Sequence, residues 1–382
     1  MKKSWEIIAG ILLGLGVSFA VLVGVSEKPV VHALKAGPLM SETEGTLEEL
    51  VVQYVQSAHD AAAPVLKQFL PQLSNHVRVY VVVPDIAEFE KLRAYLGPVR
   101  CRLIPVAVGH PLTAWSRDRW LAFEPNNALE PAVVLAPGDE KMSAGWAERA
   151  GDKEVAADLA KSLINVSAER SELLFEAGDF VADSEAVFVT PEVLRRNVQH
   201  TVRDEAALQS ALEQLFKRRV VILREAPEHH AAMFMMLAGD KRAVVGDPSL
   251  AEALSRRKQS NAHWNGIVAG GGDFSEQTQR MYDAVAAQCA EAGYQVVRVP
   301  QVHSSISKGY VTYVNVLIDS VGNTGIVYLP VYDGLARLNE AAADTWRALG
   351  YEVRPVNVSS VYRLGGTLHC LVNVLRRVSE QG

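Results

Sequence analysis

The sequence predicts a mixed α/β fold assembled from repeated units, because three stretches each join a helical pattern, a glycine and a strand pattern. Glycine adopts the left-handed backbone conformation that ends a helix and turns the chain into a strand. The later two copies, Ala-Gly-Tyr-Gln-Val and Leu-Gly-Tyr-Glu-Val, indicate an internal repeat. Such repetition fits a doubly wound sheet or an α/β propeller. The glycines and predicted strands are Gly97 with residues 99–106, Gly293 with 295–299 and Gly350 with 352–356.

The N-terminal segment, residues 1–34, is predicted to be a signal peptide or a membrane anchor. Two lysines precede an uncharged apolar run at residues 7–25, and Glu27 and Lys28 follow it. The run is just long enough to span a bilayer, whereas Val-His-Ala at residues 31–33 provides a small-residue cleavage site. Because the positive end stays in the cytoplasm, both alternatives place the globular part outside it, whether periplasmic, secreted or anchored.

The rest of the chain is predicted to be a single domain, residues 46–382, joined to this segment by a linker at residues 35–45. The linker contains Gly, Pro, Ser and Glu and few residues that pack. Thr46 begins a capping-box pattern, which predicts a helix from the next residue that is interrupted at Pro64. A strand is predicted at residues 77–83.

The composition narrows the classes of partner and cofactor. The 382 residues are 49% hydrophobic with a net charge of −6, which argues against nucleic acid because its binding proteins present a basic face. No Cys-x-x-Cys or His-Glu-x-x-His spacing is present, so no metal site is predicted. The glycines at residues 270–272 lack the flanking residues of a phosphate or dinucleotide loop, and no cofactor is predicted.

The three cysteines allow two interpretations of their redox state. Outside the cytoplasm Cys101 and Cys289 can form a disulfide, which leaves Cys370 as the odd free thiol. The alternative, favoured by the apolar helical pattern around Cys289, keeps the first two buried and reduced. Cys370 follows the pair Gly365-Gly366, and glycine permits the close backbone approaches found at the floor of a pocket. Cys370 is either a nucleophile there or a small buried hydrophobe.

Three further segments combine charged side chains with aromatic or apolar ones. Trp115-Ser116-Arg117-Asp118 sets an acid and an arginine beside a tryptophan. Glu176-Ala177-Gly178-Asp179 places acids and a glycine inside an apolar stretch. A strand is predicted over residues 229–236, where His230 and residue 232 face the same side.

Taken in order, these segments resemble the pentein superfamily of guanidine-modifying enzymes, in particular the agmatine deiminase and bacterial, Porphyromonas-type, peptidylarginine deiminase branch. That branch carries W-x-R-D, E-G-G-N, H-x-D and a final G-G-x-x-H-C. Residues 115–118 match the first motif fully, residues 176–179 match the second loosely, and residues 365–370 match the last. The resemblance spans roughly residue 44 to the C-terminus. It implies a five-fold pseudo-symmetric α/β propeller.

The third motif departs from the family. His230 is followed by Ala232, where the family has the aspartate that grips one edge of the substrate guanidinium. The alternative register through His229 also lacks an acid. A degenerate pentein that binds a ligand or a protein partner without turnover is therefore an alternative function. An amidinotransferase is another, although the motifs match the hydrolytic branch better.

The resemblance assigns the chemistry to three residues: Cys370 as nucleophile, His230 as general acid and base, and Asp118 as a carboxylate that holds the guanidinium. A thiolate is needed because the guanidinium carbon is a poor electrophile, and carboxylates bonded to its N–H edges keep the planar group charged. The further residues expected at the substrate are Trp115, Arg117, Glu176 and Asp179.

Two charged neighbours of these residues are interpreted as supporting groups. Arg117 fixes its loop or a substrate carboxylate, because an arginine stays protonated in proteins. His369 adjoins Cys370, but neighbouring residues of an extended chain point opposite ways, so His369 is interpreted as structural.

The predicted function is that of a hydrolase, a deiminase that acts on a guanidine or amidine group through a thiouronium intermediate and releases ammonia. The substrate is predicted to be a small-molecule or peptidyl guanidine, and agmatine, arginine and peptidyl arginine all stay open. A membrane is a partner only if the N-terminal segment is retained.

Overall fold

The computed structural model describes residues 36–127, 130–138, 144–255, 268, 271–306, 309–321 and 324–378. The predicted export or anchor segment at residues 7–25 lies outside these residues. Among the residues that are described, no helix is long and apolar enough to cross a membrane.

Short strands and amphipathic helices alternate along the described chain. The strands are, in chain order, β1 (Thr46–Gln53), β2 (Arg78–Val83), β3 (Arg102–Ala107), β4 (Leu121–Phe123), β5 (Ala132–Ala136), β6 (Val166–Arg170), β7 (Phe180–Ala182), β8 (Ala186–Val189), β9 (Arg219–Ile222), β10 (Met235–Leu237), β11 (Arg242–Asp247), β12 (Gly272–Asp273), β13 (Gln295–Pro300), β14 (His303–Ser304), β15 (Leu317–Val321), β16 (Thr324–Val331), β17 (Tyr351–Asn357) and β18 (Val372–Val378). The α-helices are His59–Phe69, Ile86–Leu96, Val155–Ser162, Pro191–Asn197, Glu205–Phe216, Pro248–Ser255, Glu276–Glu291, Ala336–Ala348 and Leu368–Leu371.

Most of the strands belong to sheets that repeat one order. The strands of each sheet are named below in their spatial order. In that order, the first strand is antiparallel to the central strand, and the third is parallel to it on the other side. A parallel pair requires a crossover, which helices between the central and third strands supply. The sheets of this kind are β4-β5-β6, β7-β8-β9, β10-β11-β13, β15-β16-β17 and β18-β1-β2, to which β3 adds a fourth strand. The fold is mixed α/β, as predicted.

The sheet β18-β1-β2 joins the two ends of the described chain. Strand β1 pairs antiparallel with β18, placing Val52 opposite Val372, and parallel with β2 on its other edge. The predicted helix from residue 47 is therefore wrong. The buried Leu-Val-Val run of β1 suits a strand with a neighbour on each edge, and this pairing outweighs the local capping-box pattern. The helix begins instead at His59, and Pro64 lies inside it.

The predicted linker at residues 35–45 is also wrong over its described part. Leu39 and Met40 are buried, and Leu39 forms a bridge with Phe123. The backbone N–H of Glu42 donates to the carbonyl of Ala182 at 2.8 Å. These residues pack because Leu39 and Met40 lie against β4, where the N–H of Met40 donates to the carbonyl of Ala122 at 2.9 Å. Composition does not reveal this contact.

The predicted glycine-terminated helices are confirmed. Gly97, Gly293 and Gly350 follow or lie just beyond helix ends with φ of 71°, 91° and 94°. A Cβ atom built on any of the three would meet nothing within 4 Å, so the left-handed backbone, and not lack of space, favours glycine there. The strands predicted after them correspond to β3, β13 and β17.

Candidate active site

The segments singled out in the sequence lie directly before the first strand of successive sheets. Residues 115–118 precede β4, residues 176–179 precede β7, His230 precedes β10 and Cys370 precedes β18. Equivalent ends of different sheets therefore bring together residues that are far apart in the chain.

A pocket of about 620 Å³ opens at this meeting point. The predicted site residues that line it are Trp115, Asp118, Glu176, Asp179, His230 and Cys370. Its polar lining and its single thiol agree with a site built for chemistry on a small polar group.

His230 lies between two carboxylates. Its Nε2 is 2.6 Å from Glu176 Oε2, and its Nδ1 is 3.7 Å from Asp118 Oδ1. Burial by itself lowers the pKa of the imidazole. The charge of Asp118, a hydrogen bond with Cys370 and the bond with Glu176 outweigh burial and raise the pKa of this histidine well above its ordinary value. The raised pKa favours the imidazolium form of His230, which can donate a proton.

The two carboxylates respond in opposite directions. Burial raises the pKa of Asp118, an effect that Arg149 and His230 only partly offset. Burial also disfavours the charged form of Glu176, but its hydrogen bond with His230 lowers the pKa of this carboxyl below its usual range. The negative charge next to the imidazolium is thus held most firmly on Glu176.

Cys370 lies at the floor of the pocket in the short helix Leu368–Leu371. The residue is 3% exposed, and its Sγ lies 4.0 Å from Met233 Sδ. The amide of Asn315 donates to the same sulfur at 3.5 Å. The thiol is therefore enclosed apart from the pocket side, where His230 approaches it.

Asn315 is a site residue that the sequence analysis missed. It is fully buried before β15, and its Oδ1 accepts from Thr367 Oγ1 and from the backbone N–H of His369. Its Nδ2 also donates to the carbonyl of Ala232 at 3.2 Å. The signal that could have found Asn315 is its position, since it precedes the first strand of a repeated sheet as the other site residues do.

Two glycines of the sequence motifs allow close approaches in the pocket. A Cβ atom on Gly178 would overlap the ring of His230. A Cβ atom on Gly366 would lie 2.6 Å from Trp115 Cζ3. A side chain at either position would therefore push a pocket-lining ring, that of His230 or of Trp115, out of its place.

All three cysteines are buried and free in this structure. Burial raises the pKa of Cys101 to about 11 and that of Cys289 to about 12. Both thiols are therefore inert by burial, and Cys370 is the cysteine that reaches the pocket.

Comparison with known proteins identifies the fold. A scan against protein-family models and a search of curated proteins each found no match. Among solved structures, the agmatine deiminase of Enterococcus faecalis is similar over 92% of this chain and 100% of its own, with a TM-score of 0.64 at 15% identity. The chain has the agmatine deiminase fold.

Two further structures from C. jejuni agree. Its agmatine deiminase is similar over 90% of this chain and 97% of its own, with a TM-score of 0.64 at 14% identity. A variant of that enzyme with substrate bound reaches 0.66 at 12% identity, covering 89% of this chain and 97% of its own. The similarity to the agmatine deiminase fold thus covers about nine tenths of this chain.

Within the agmatine deiminase fold, Arg117 holds the loop of residues 115–118 in place through three contacts. Its Nη2 lies 2.6 Å from Glu42 Oε1, its Nη1 donates to Asn373 Oδ1 at 3.0 Å, and its backbone N–H donates to the carbonyl of Cys370 at 3.2 Å. The side chain of Arg117 is 6% exposed and does not line the pocket. Of the two roles considered for it, fixing the loop agrees with these contacts.

The segment around Ala232 is not the predicted strand. Ala231–Met233 form a 3-10 turn after His230, and β10 begins only at Met235. The two-residue alternation of strands therefore does not apply at Ala232, which is 1% exposed and lies outside the pocket lining. The turn arises because its N–H groups bond locally, with the N–H of Met233 donating to the carbonyl of His230 at 3.0 Å.

Proposed function

We propose that this protein is a deiminase that hydrolyses a guanidine or amidine group through a thiouronium intermediate on Cys370. The observation that carries the proposal is a histidine 2.6 Å from a carboxylate that lines one pocket with a thiol, at the meeting point of four segments. The agmatine deiminase fold supports the same reaction class.

The first step joins the Cys370 sulfur to the guanidinium carbon. Asp118 and Glu176 accept hydrogen bonds from the substrate N–H groups and hold the planar cation against the sulfur. The thiolate electron pair forms the C–S bond, and one C–N bond breaks. His230 donates its proton to the departing nitrogen, which leaves as ammonia, and a thiouronium remains on the cysteine.

The second step returns the enzyme to its starting state. His230, now neutral, removes a proton from a water molecule, whose oxygen attacks the thiouronium carbon. The C–S bond breaks, the thiolate is restored, and the ureido product leaves after losing the hydroxyl proton, which the released ammonia takes up as ammonium. The net reaction consumes one guanidinium and one water and yields a urea derivative and an ammonium ion.

We further propose that the five repeated sheets form the five-fold pseudo-symmetric propeller of the penteins. The shared strand order, and the placement of site residues before the first strand of each sheet, support this architecture. Joining of the two chain ends through β1 and β18 supports closure of the ring.

We propose an extracytoplasmic location for the protein, supported by the apolar run at residues 7–25. In a bacterial host the protein is expected to resist protease in intact cells and to be digested once the outer envelope is opened. Recovery of uncleaved protein in the soluble cytoplasm contradicts the proposal.

A non-catalytic ligand-binding protein is the second candidate function. Two observations favour it: Ala232 replaces the family acid, and the Arg149 guanidinium contacts the carboxylates of both Asp118 and Glu176. This candidate keeps the pocket and its recognition of a ligand but has no turnover.

The deciding experiment measures ammonia and ureido product from agmatine, arginine and arginyl peptides. The purified protein is expected to release both, and Cys370→Ser is expected to release neither. The matched control is Cys289→Ser, a buried cysteine outside the pocket, which retains activity. A folded protein that binds a ligand but releases no ammonia from any guanidine supports the non-catalytic candidate instead.

A further inference from the structure

A guanidinium group of the chain itself occupies the carboxylates that the proposed function assigns to the substrate. Arg149 Nη2 bonds with Asp118 Oδ2, and Arg149 Nη1 lies 3.8 Å from Glu176 Oε1. The Arg149 side chain is 14% exposed and lines the pocket together with the predicted nucleophile. The sequence offered no motif for this residue, which lies 31 positions from Asp118.

The backbone that carries Arg149 is fixed three residues further on. Asp152 is fully buried and accepts from Gln53 Nε2 at 2.9 Å, from the N–H of Thr113 at 2.9 Å and from Thr113 Oγ1 at 2.7 Å. Arg149 Nε lies 3.9 Å from this same Asp152. The backbone position from which the Arg149 guanidinium extends into the pocket is therefore fixed.

Arg149 and an external guanidinium compete for the same acceptors. Both are planar cations that present pairs of N–H groups to a carboxylate. While Arg149 is bound to the carboxylates, an external guanidinium therefore finds their oxygens already hydrogen-bonded and is repelled by the like charge. When a site is competent for only a fraction of the time, the apparent dissociation constant rises by the inverse of that fraction.

We infer that Arg149 is a tethered competitor of the substrate and sets the affinity of the pocket for guanidines. The inference rests on the proposed function for its assignment of Asp118 and Glu176 to the substrate. Each guanidine that binds has to displace the Arg149 side chain from these two carboxylates.

The test uses calorimetry to compare how tightly agmatine binds to two variants. Both variants are made in a Cys370→Ser background, where no turnover occurs. Arg149→Gln is expected to bind about tenfold to a hundredfold more tightly than its parent, because the carboxylates are no longer occupied. Arg170→Gln is the matched control, since it removes an arginine that pairs with Glu154 at 3.3 Å outside the pocket. Equal or weaker binding by Arg149→Gln overturns the inference.

A second measurement covers the case in which loss of Arg149 destabilises the fold. Methylguanidine is expected to raise the melting temperature of Arg149→Gln more than that of the parent, since it refills the emptied subsite. Arg149→Lys, which keeps the charge without the planar fork, is expected to show a smaller gain in the same direction. Absence of any extra stabilisation in both variants overturns the inference.

Kinetics separate this inference from the proposed function. With Cys370 intact, Arg149→Gln is expected to lower KM without lowering kcat. A fall in kcat at constant KM instead makes Arg149 a positioning residue and overturns the inference. Tighter guanidine binding with no ammonia from any variant sustains the inference and overturns the proposed function.

Discussion

Two buried histidines lie beside the Cys370 segment, and each is within hydrogen-bond distance of a glutamate. His230 Nε2 is 2.6 Å from Glu176, and His369 Nε2 is 3.1 Å from Glu42. The pKa of His230 is raised well above its ordinary value, whereas that of His369 is lowered, chiefly by burial. Residue type and burial are the same at the two positions, so neither decides the charge.

The difference comes from the balance of charges around each ring. His230 has two carboxylates within 4 Å, Asp118 and Glu176. His369 has the single carboxylate of Glu42, which it shares with Arg117 at 2.6 Å. A second carboxylate favours the imidazolium and a neighbouring guanidinium opposes it. A buried histidine next to Cys370 is therefore a proton donor on one side and a neutral structural group on the other.

The largest expected difference in kcat is between substitutions of the two histidines. His230→Gln is expected to lower kcat by about 10²–10⁴, because the proton donor and later base is lost. His369→Gln is expected to keep kcat within a few-fold of the parent while lowering the melting temperature. Steady-state kinetics and thermal melts on both variants check this, and equal losses of kcat would show that the comparison is mistaken.

The Glu42 network is expected to contribute stability in place of activity. Arg117 and His369 overcome the effect of burial and lower the pKa of Glu42 from its ordinary value of 4.5 to about 2. A lowered pKa contributes stability above the unfolded value, and that contribution is lost as pH falls from about 4.5 to about 2. The shift corresponds to roughly 3 kcal/mol.

Glu42→Gln tests this contribution. Its free energy of unfolding is expected to be lower than the parent's at pH 7 and to converge on it at low pH, as measured by denaturant titration at several pH values. Glu44→Gln is the matched control two residues away. A constant difference between Glu42→Gln and the parent at all pH values contradicts the assignment.

Ala232→Asp restores the family acid at a position that the fold keeps outside the pocket lining. The sequence pattern predicts a gain of about tenfold to a hundredfold in guanidine binding, because a hydrogen bond to a charged group is worth about 1.5–3 kcal/mol. Because Ala232 is 1% exposed in a 3-10 turn, the structure instead predicts no gain in binding or turnover and a lower melting temperature, caused by a buried carboxylate without a partner. Asp118→Asn is expected to nearly eliminate activity with or without this change. Tighter guanidine binding by Ala232→Asp, measured by calorimetry, would contradict the placement of Ala232 outside the pocket lining.

The smallest expected effects are spectroscopic. Because the pKa of His230 is raised, its imidazolium is present below the raised value and is lost only as pH rises through it. Nitrogen NMR of labelled histidine is expected to find His230 protonated at pH 7 and His369 neutral. Activity that depends on the imidazolium is expected to persist through pH 7 and to fall on the alkaline side. Titration of His230 below pH 6.5 would contradict the charge balance.

The parts of the molecule that were predictable are those with local causes. A helix that turns into a strand needs a left-handed residue, so Gly97, Gly293 and Gly350 marked helix ends without any knowledge of their neighbours. The motif residues Trp115 and Cys370 were likewise found from short patterns, and both line the pocket.

The parts that were missed depend on contacts between distant segments. Thr46–Gln53 forms a strand because β18, at the other end of the described chain, supplies its partner. The role inferred for Arg149 depends on its contacts with Asp118 and Glu176, and the role of Asn315 depends on its hydrogen bond with Cys370. A local pattern carries no information on which side chains will face each other after folding.

The sequence predicts the alternation of helices and strands, the turns that require glycine, and the thiol, the histidine and the acid of the proposed chemistry. Each follows from properties of neighbouring residues, namely backbone conformation, hydrophobic period and the nucleophilicity of a thiol. The opposite shifts in the pKa values of His230 and His369 depend on the folded chain, because a pKa responds to every charge within a few ångströms. Those charges come from segments that meet only in the folded chain.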